Sequence, residues 1–140
     1  MPLAGEQLTL KWSLALAYHA GFRRIRLVTA VAVMCAESGR WTRAWHDNLD
    51  AEGNVVSTDR GLFQINNKAH PSLSDADAYS PIPNAVYAAM LSHMGASWKP
   101  WSAFLSGAHL KFMPIVTTVW LAQAWRTRIR LVESYLGGGH

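Results

Sequence analysis

The segment LVTAVAVMCAESG, residues 27–39, is strongly apolar over Leu27 to Ala36 and then carries one carboxylate, Glu37. Its pattern predicts a helix over residues 25–37 that is apolar on nearly all sides, and such a helix belongs at the centre of a fold. Ser38 and Gly39 end the pattern. Burial of a carboxylate costs free energy, and the C-terminus of a helix also disfavours negative charge. The position of Glu37 therefore needs a physical reason.

Two interpretations of Glu37 follow from the sequence. Burial and the negative end of the helix both raise the pKa of a carboxyl group, because they disfavour its charged form. A glutamate that is protonated near neutral pH is able to act as a general acid. Alternatively, the end of the helix frays and Glu37 bends into solvent. The spacing of residues alone favours neither interpretation.

Composition predicts one globular domain over residues 1–140, with 137–140 as a frayed tail, because half of the residues are hydrophobic. The single cysteine, Cys35, excludes an intrachain disulfide and is expected to be a small core residue. The formal net charge of +4 favours an anionic partner such as nucleic acid, lipid head groups or an acidic cell wall. Basic clusters at 23–26 and 126–130 are interpreted as solvated helix faces, or as surfaces that attract an anionic polymer.

The elements around the central helix predict a mainly α (α+β) fold with a small β region. The segment VVSTDRGLFQIN, residues 55–66, has β-branched and alternating residues and predicts a hairpin or irregular sheet. We expect no other β structure. The other predicted elements are helices over 7–20, 84–93 and 114–136, a short helix or turn within 97–107, and loops over 40–56 and 68–83.

A second carboxylate, Asp59, lies in the predicted β region. In a turn it would accept backbone N–H groups or pair with Arg60. Alternatively, the hairpin folds back and brings Asp59 to face Glu37. Two carboxyl groups in different environments, one neutral and one ionised, make a glycosidase pair.

Three blocks of sequence, AESG (36–39), STDRGLFQIN (57–66) and ASWKPWSAF (96–104), resemble the lysozyme-like superfamily in order and character. That superfamily includes animal and phage lysozymes and soluble lytic transglycosylases, and the resemblance covers about residues 7–107. It implies a lysozyme-like fold whose small β-hairpin region carries the second carboxylate.

By position, the resemblance implies that Glu37 is the catalytic acid and that Asp59 is the second carboxylate of animal-type lysozymes. It places Gln64 and Asn66 on the strand that lines the sugar cleft. Trp101 matches the tryptophan that packs against the acid in animal-type lysozymes.

Other residues complete the expected site. Trp98 and Trp101 bracket a Lys-Pro pair and are expected to form a sugar-facing wall, since aromatic rings in clefts bind sugars. Ser38, next to the acid, is also expected to bind substrate. Trp41 and Trp45 either flank the cleft or pack beneath the loop.

The resemblance implies cleavage of the β-1,4 bond between N-acetylmuramic acid and N-acetylglucosamine in peptidoglycan. Asp59 favours hydrolysis, and the region of residues 84–96 lacks the AYNAG-like segment of many transglycosylase relatives. Since many relatives cut with a single glutamate, a lytic transglycosylase that uses Glu37 alone stays open. So does a non-catalytic wall-binding or virion structural module. A basic nucleic-acid binder is disfavoured because no nucleic-acid motif is present.

No cofactor is required, and we expect peptidoglycan glycan strands as the partner of a monomer that binds no nucleic acid. The six histidines are scattered without metal-ligand spacing, so we expect no metal. The apolar run of Leu27 to Ala36 is shorter than the roughly 20 residues that span a bilayer. Residues 1–10 lack the basic region of a signal peptide. We therefore expect cytoplasmic synthesis followed by action on the bacterial wall, in host lysis or as part of a virion.

Overall fold

A computed structural model describes residues 4–123 of the chain. The helices are α1 (Leu10–Ala20), α2 (Ile25–Ser38), α3 (Asp75–Ala78), α4 (Pro81–Leu91), α5 (Ser102–Leu105) and α6 (113–123), with a 3-10 turn at Leu110–Phe112. The strands are β1 (Trp45–Leu49), β2 (Val55–Arg60) and β3 (Ile65–Asn66). The prediction of a mainly α fold with a small β region is confirmed. The predicted part of the last helix beyond 123, the basic cluster 126–130 and the tail 137–140 lie outside the described residues.

The first two helices form where the sequence predicts them. Helix α1 begins after Thr9, whose hydroxyl accepts the Trp12 N–H at 3.1 Å, so the predicted start at residue 7 is three residues early. Helix α2 ends at Gly39, which has a left-handed backbone with φ 61° and donates its N–H to the Cys35 carbonyl. Most side chains of α2 are buried, and Cys35 is a free thiol in the core. None of the helices within 4–123 has the length and hydropathy that a bilayer-crossing segment requires.

The three strands form one antiparallel sheet in the order β1-β2-β3. The prediction of a loop over 40–56 is wrong for Trp45–Leu49, which pairs with β2 along its length. Strand β1 is polar because it is an edge strand whose residues face mainly solvent, so its pattern lacks the apolar alternation of a half-buried strand. The turn between β1 and β2 is closed by Asp50, which accepts the backbone N–H groups of Glu52 and Asn54.

Two further corrections concern the predicted loop over 68–83. Its second half contains α3, which is capped by the hydroxyl of Ser74, and the start of α4. Helix α4 spans Pro81–Leu91 rather than residues 84–93. Proline is compatible with the first turn of a helix, where its missing N–H would have no intrahelical partner.

An aromatic cluster joins the helices to the segment after β2. The rings of Phe22, Phe63 and Trp98 stack with centroids 5.6–6.3 Å apart, and the Trp101 ring meets Trp98 edge-on at 5.0 Å. These residues belong to the same hydrophobic core as the apolar side chains of α2. The core therefore reaches from the central helix to the base of the sheet.

A buried amide, that of Asn84 in α4, holds the end of β2 against the helices. Its Oδ1 accepts the Phe63 N–H at 2.9 Å, and its Nδ2 donates to the carbonyls of Arg60 and Ala78 at 3.1 and 2.8 Å. Gly61 makes this close approach feasible. Its φ is +74°, and a Cβ there would lie 2.2 Å from the Ala78 carbonyl oxygen. The sheet is thus attached to α4 by backbone and amide groups rather than by apolar contacts alone.

The Arg60 guanidinium makes a second buried attachment. Arg60 is 2% exposed, its Nε donates to the Ile65 carbonyl, and its Nη1 donates to the Leu73 carbonyl and to Asp75 Oδ1. The Arg60–Asp75 pair is the only salt bridge among residues 4–123. This contact excludes the predicted pairing of Arg60 with Asp59.

We expect Asn84→Ala to lower the free energy of unfolding by about 2–4 kcal/mol, because it leaves a buried N–H and two buried carbonyls without their partner. Urea unfolding followed by far-UV circular dichroism measures the difference. Asn67→Ala is the matched control. Asn67 is exposed and accepts a single hydrogen bond, from the Thr58 N–H, so its loss should cost no more than about 1 kcal/mol. Equal effects of the two substitutions would contradict the anchoring role of Asn84.

Candidate active site

A cleft of about 220 Å³ lies between the C-terminal end of α2, the sheet and the segment before α5. Its lining residues come from all three parts of the fold and include both carboxyl groups singled out from the sequence. Five of the seven predicted site residues line it, namely Glu37, Asp59, Gln64, Asn66 and Trp101. The structure therefore brings together residues that are separated by up to 64 positions in the chain.

Glu37 lies inside the last turn of α2, and its side chain is partly buried in the cleft. The pKa of this carboxyl group is raised from 4.5 to about 7, chiefly by burial, because the charged form loses solvation. This value also includes two smaller effects: a hydrogen bond to the Ala103 backbone lowers the pKa, and the negative charge of Asp59 raises it. The fraying interpretation is thus wrong, since the helix continues through Glu37 to Ser38.

Asp59 lies within β2 and not in a turn. Its Oδ1 accepts the Asn66 Nδ2–H at 2.8 Å, and its Oδ2 accepts the Asn48 Nδ2–H at 3.2 Å. Both amides also donate to the Ser57 hydroxyl, at 3.0 and 3.1 Å. Side-chain amides from the two neighbouring strands therefore fix the Asp59 side chain, where the sequence suggested backbone N–H groups or Arg60.

Asn48 is a site neighbour that the sequence does not reveal. It belongs to β1, which the sequence does not predict, and it lies opposite Ser57 in the register. Only the strand pairing shows that it reaches Asp59, so no local signal could have identified it.

Gln64 and Asn66 have different roles in the cleft. Gln64 Nε2 donates to the carbonyls of Ala44 and Gly61 at 3.0 and 2.8 Å, and its Oε1 accepts no hydrogen bond from the described residues. Asn66 Oδ1 accepts the backbone N–H groups of Lys68 and Ala69, and its Nδ2 holds Asp59. Gln64 therefore keeps an acceptor for a ligand, while Asn66 is committed to positioning Asp59.

Trp101 forms an apolar wall of the cleft beside Glu37. Its ring is 4% exposed, and its Nε1–H donates to the Phe63 carbonyl at 2.8 Å. A large ring held in this way excludes water from the neighbouring space. We therefore expect it to contribute to the burial that raises the Glu37 pKa.

Two predicted substrate-binding residues do not line the cleft. Ser38 is fully buried, where its hydroxyl donates to the Met34 carbonyl and accepts the Arg40 N–H, so it stabilises the end of α2. Trp98 is 4% exposed and stacks within the aromatic core, and it does not line this cleft. These two assignments are corrected to structural roles.

His70 lines the cleft although the sequence did not single it out. Its Nδ1 lies 3.3 Å from the Tyr87 hydroxyl, and the two rings meet edge-on. Burial and the positive charge of Arg60 lower its pKa. Trp41 and Trp45, in contrast, do not line this cleft. Within 4–123, no three histidine, cysteine, aspartate or glutamate side chains come together in a way that suits a metal ion.

The arrangement combines a proton donor and a fixed acceptor group across one cleft. With a pKa of about 7, a large fraction of Glu37 carries a proton at neutral pH. Both oxygens of Asp59 act as hydrogen-bond acceptors, a role that a deprotonated carboxylate fills. Most glycosidases use such a pair of carboxyl groups to cleave a glycosidic bond with acid assistance.

The raised pKa of Glu37 makes folding stability depend on pH. A carboxyl group whose pKa rises on folding contributes fully to stability below its unfolded pKa of 4.5, and this contribution is lost as pH rises towards about 7. We therefore expect the free energy of unfolding of Glu37→Gln to equal that of the wild type near pH 4. At pH 8 it should be higher by about 3 kcal/mol, since one pKa unit is about 1.4 kcal/mol. Urea unfolding at both pH values measures this, with the exposed Glu52→Gln as the charge control. A pH-independent difference would contradict the burial of Glu37.

The two contributions to the Glu37 pKa are separable by substitution. We expect Asp59→Asn to lower this pKa, because it removes a negative charge. As a separate variant, Trp101→Ala should give a larger decrease towards 4.5 by admitting water, because burial is the largest cause of the shift. Carbon-13 NMR titration of the labelled carboxyl group measures both shifts. Trp12→Ala, at a 67% exposed position outside the cleft, is the control. An unchanged pKa in Trp101→Ala would show that another group desolvates the carboxyl.

Comparison with known proteins identifies a family. A family model described as a lysozyme-like domain matches residues 14–103, which is more than half of the chain and includes every residue of the cleft. No curated protein and no solved structure matches the chain. The family is one of peptidoglycan-acting glycosidases and transglycosylases. With its mainly α fold, its small sheet and its two carboxyl groups in one cleft, this chain belongs to the lysozyme-like domain family.

Proposed function

We propose that this protein is a muramidase that hydrolyses the β-1,4 bond between N-acetylmuramic acid and N-acetylglucosamine in peptidoglycan. The observation that carries the proposal is the pairing of Glu37 and Asp59 in one cleft. Glu37 is partly buried beside an apolar wall, whereas Asp59 is held by two amides. The family supports action on peptidoglycan, and the pair of carboxyl groups supports hydrolysis in particular.

In this mechanism Glu37 donates its proton to the glycosidic oxygen as the bond from that oxygen to the anomeric carbon breaks. Positive charge then develops on the sugar ring, and the Asp59 carboxylate stabilises it, orients a water molecule, or attacks the anomeric carbon directly. Water supplies the new hydroxyl group at the anomeric carbon, and its proton returns to Glu37. The reaction needs no cofactor.

Neutral groups of the cleft are also available to bind the substrate. Gln64 Oε1 is available to accept a hydrogen bond from a sugar hydroxyl or amide, and the edge of Trp101 offers an apolar surface. Sugars combine apolar ring faces with many hydroxyl groups, so a cleft of this character suits them. We expect a monomer to suffice, since both carboxyl groups come from one chain.

We further propose that the protein acts on the bacterial wall in host lysis or as part of a virion. The basic balance of the chain is suited to an acidic wall. Genes for virion or lysis proteins beside this gene would support the setting, and a chromosomal locus of wall-maintenance genes would contradict it.

Mass spectrometry of the products from purified peptidoglycan tests the reaction. We expect wild-type products that have gained water and carry reducing muramic acid ends. Glu37→Gln should lower the rate by about 10²–10⁴-fold, because it removes the general acid. Asp59→Asn should lower it by about 100-fold, if the carboxylate stabilises developing positive charge.

The same spectra distinguish the other outcomes. Anhydromuramic ends would show a lytic transglycosylase, in which the muramic acid 6-hydroxyl replaces water, and Asp59 would then have a positioning role. Binding to the wall with no products from the wild type would show a non-catalytic module. Lys11→Gln, an exposed change outside the cleft, controls for the loss of surface charge or polarity.

A further inference from the structure

A second groove, of about 380 Å³, lies on the far side of the aromatic wall from the cleft. It is lined by residues 95–99, by Thr29 of α2, and by Phe104 and Leu105. Its base is apolar, formed by Trp98 and Phe104, whose rings stack at 6.3 Å. At its edge Leu105 is 66% exposed. The proposed reaction uses none of these residues.

The groove is cationic, in contrast to the cleft. Lys99 lines it, and the stem of Arg26 packs against Gly95, since a Cβ at Gly95 would lie 3.0 Å from the Arg26 Cβ. Both side chains are exposed, and neither takes part in the one salt bridge of residues 4–123. None of the described residues that line the groove is acidic. Lys99 therefore lines the groove and Arg26 lies beside its edge at Gly95, and neither has a salt-bridge partner among residues 4–123.

The backbone that leads into the groove is strained. His93, Met94 and Gly95 have φ values of 50°, 58° and 86°, a left-handed conformation that side-chain-bearing residues rarely adopt. Two hydrogen bonds stabilise the turn. The Met94 N–H donates to the Ala89 carbonyl at 2.7 Å, and the Gly95 N–H donates to the Ser92 hydroxyl at 3.0 Å. Strained backbone that its surroundings hold in place is concentrated at binding and catalytic sites.

The groove and the cleft are two sides of one segment, residues 98–105. Pro100, Trp101 and Ser102 face the cleft, whereas Trp98, Lys99 and Phe104 face the groove. The rings of Trp98 and Trp101 are only 5.0 Å apart. An extended peptide covers about 3.3–3.6 Å per residue, so three residues reach about 10 Å, which exceeds the 5.0 Å between the two ring centroids.

We propose that the second groove binds the acidic peptide stem that projects from muramic acid when the glycan strand occupies the cleft. This inference rests on the proposed function. The carboxylates of the stem interact with Arg26 and Lys99, and its small apolar side chains lie on the surface of Leu105 and the aromatic base. The groove thereby selects glycan that carries peptide over bare glycan.

The character of the groove favours a peptide over a dense polyanion. Among the described residues, Lys99 and the neighbouring Arg26 supply two cations beside an apolar base, which suits a ligand with occasional carboxylates and methyl groups between them. A phosphodiester polymer or nucleic acid presents a charge at every repeat, and proteins bind it with extended basic tracks. The Arg23 guanidinium of the nearby basic cluster is already occupied, since it stacks on the Tyr18 ring and donates to two carbonyls.

Calorimetric titration with two soluble tetrasaccharides, identical except for their stems of three residues, tests the inference. All proteins carry Glu37→Gln so that the ligand is not cut. We expect Lys99→Gln to raise the Kd for the peptide-bearing ligand about threefold. The double variant Arg26→Gln/Lys99→Gln should raise it about tenfold, because each exposed ion pair contributes a small free energy of binding. The Kd for the bare ligand should not change. Lys11→Gln, which removes the same charge from an exposed position of α1, should change neither.

Each alternative result has one meaning. Unchanged affinity for both ligands, or equal loss for both, would overturn the peptide assignment. Selective loss of affinity for a phosphodiester polymer or DNA would also overturn it and identify a polyanion surface. If the wild-type chain cuts bare glycan, the proposed function stands even when the groove fails the test. If no glycan is bound or cut, both proposals fail.

Discussion

The geometry of the candidate active site depends on a buried amide that attaches the sheet to the helices. Asn84, on α4, accepts the Phe63 N–H and donates to the carbonyls of Arg60 and Ala78, and in this way it fixes the chain directly after Asp59. Asp59 and Glu37 lie on separate elements, one on the sheet and one at the end of the buried helix. Their separation is therefore set by how the sheet is attached to the helices. A short three-stranded sheet buries little apolar surface of its own, so polar attachment at its base determines where it lies.

The sequence predicted the parts of this fold that have strong local signals. The long apolar pattern of α2 and the glycine after it gave the helix and its end, and with them the unfavourable position of Glu37. The resemblance of the three sequence blocks then related Glu37 to Asp59, Gln64, Asn66 and Trp101, which the structure brings into one cleft. These residues were identifiable because their local motifs are distinctive.

The parts that were missed depend on contacts between distant segments. Strand β1 has the composition of a loop and is a strand only because it pairs with β2, so Asn48 and its bond to Asp59 were not foreseeable. Trp98 and Trp101 look equivalent in the sequence, yet one belongs to the core and the other to the cleft. The hydroxyl of Ser38 is used by the backbone, which spacing cannot show. Arg60 shows the same limit, since its partner Asp75 lies on α3 within a region predicted to be loop.

The hydrogen bond from the Trp101 indole to the Phe63 carbonyl links one wall of the cleft to the segment that leads into β3. Phe63 also stacks in the core, so the cleft and the core share a buried hydrogen bond. Widening the cleft would break this bond and expose aromatic surface, which makes a hinged or lidded mode of entry unfavourable. Under the proposed function, a glycan strand therefore enters the cleft from its open side and leaves along the same path. Its release then requires no opening motion of the fold.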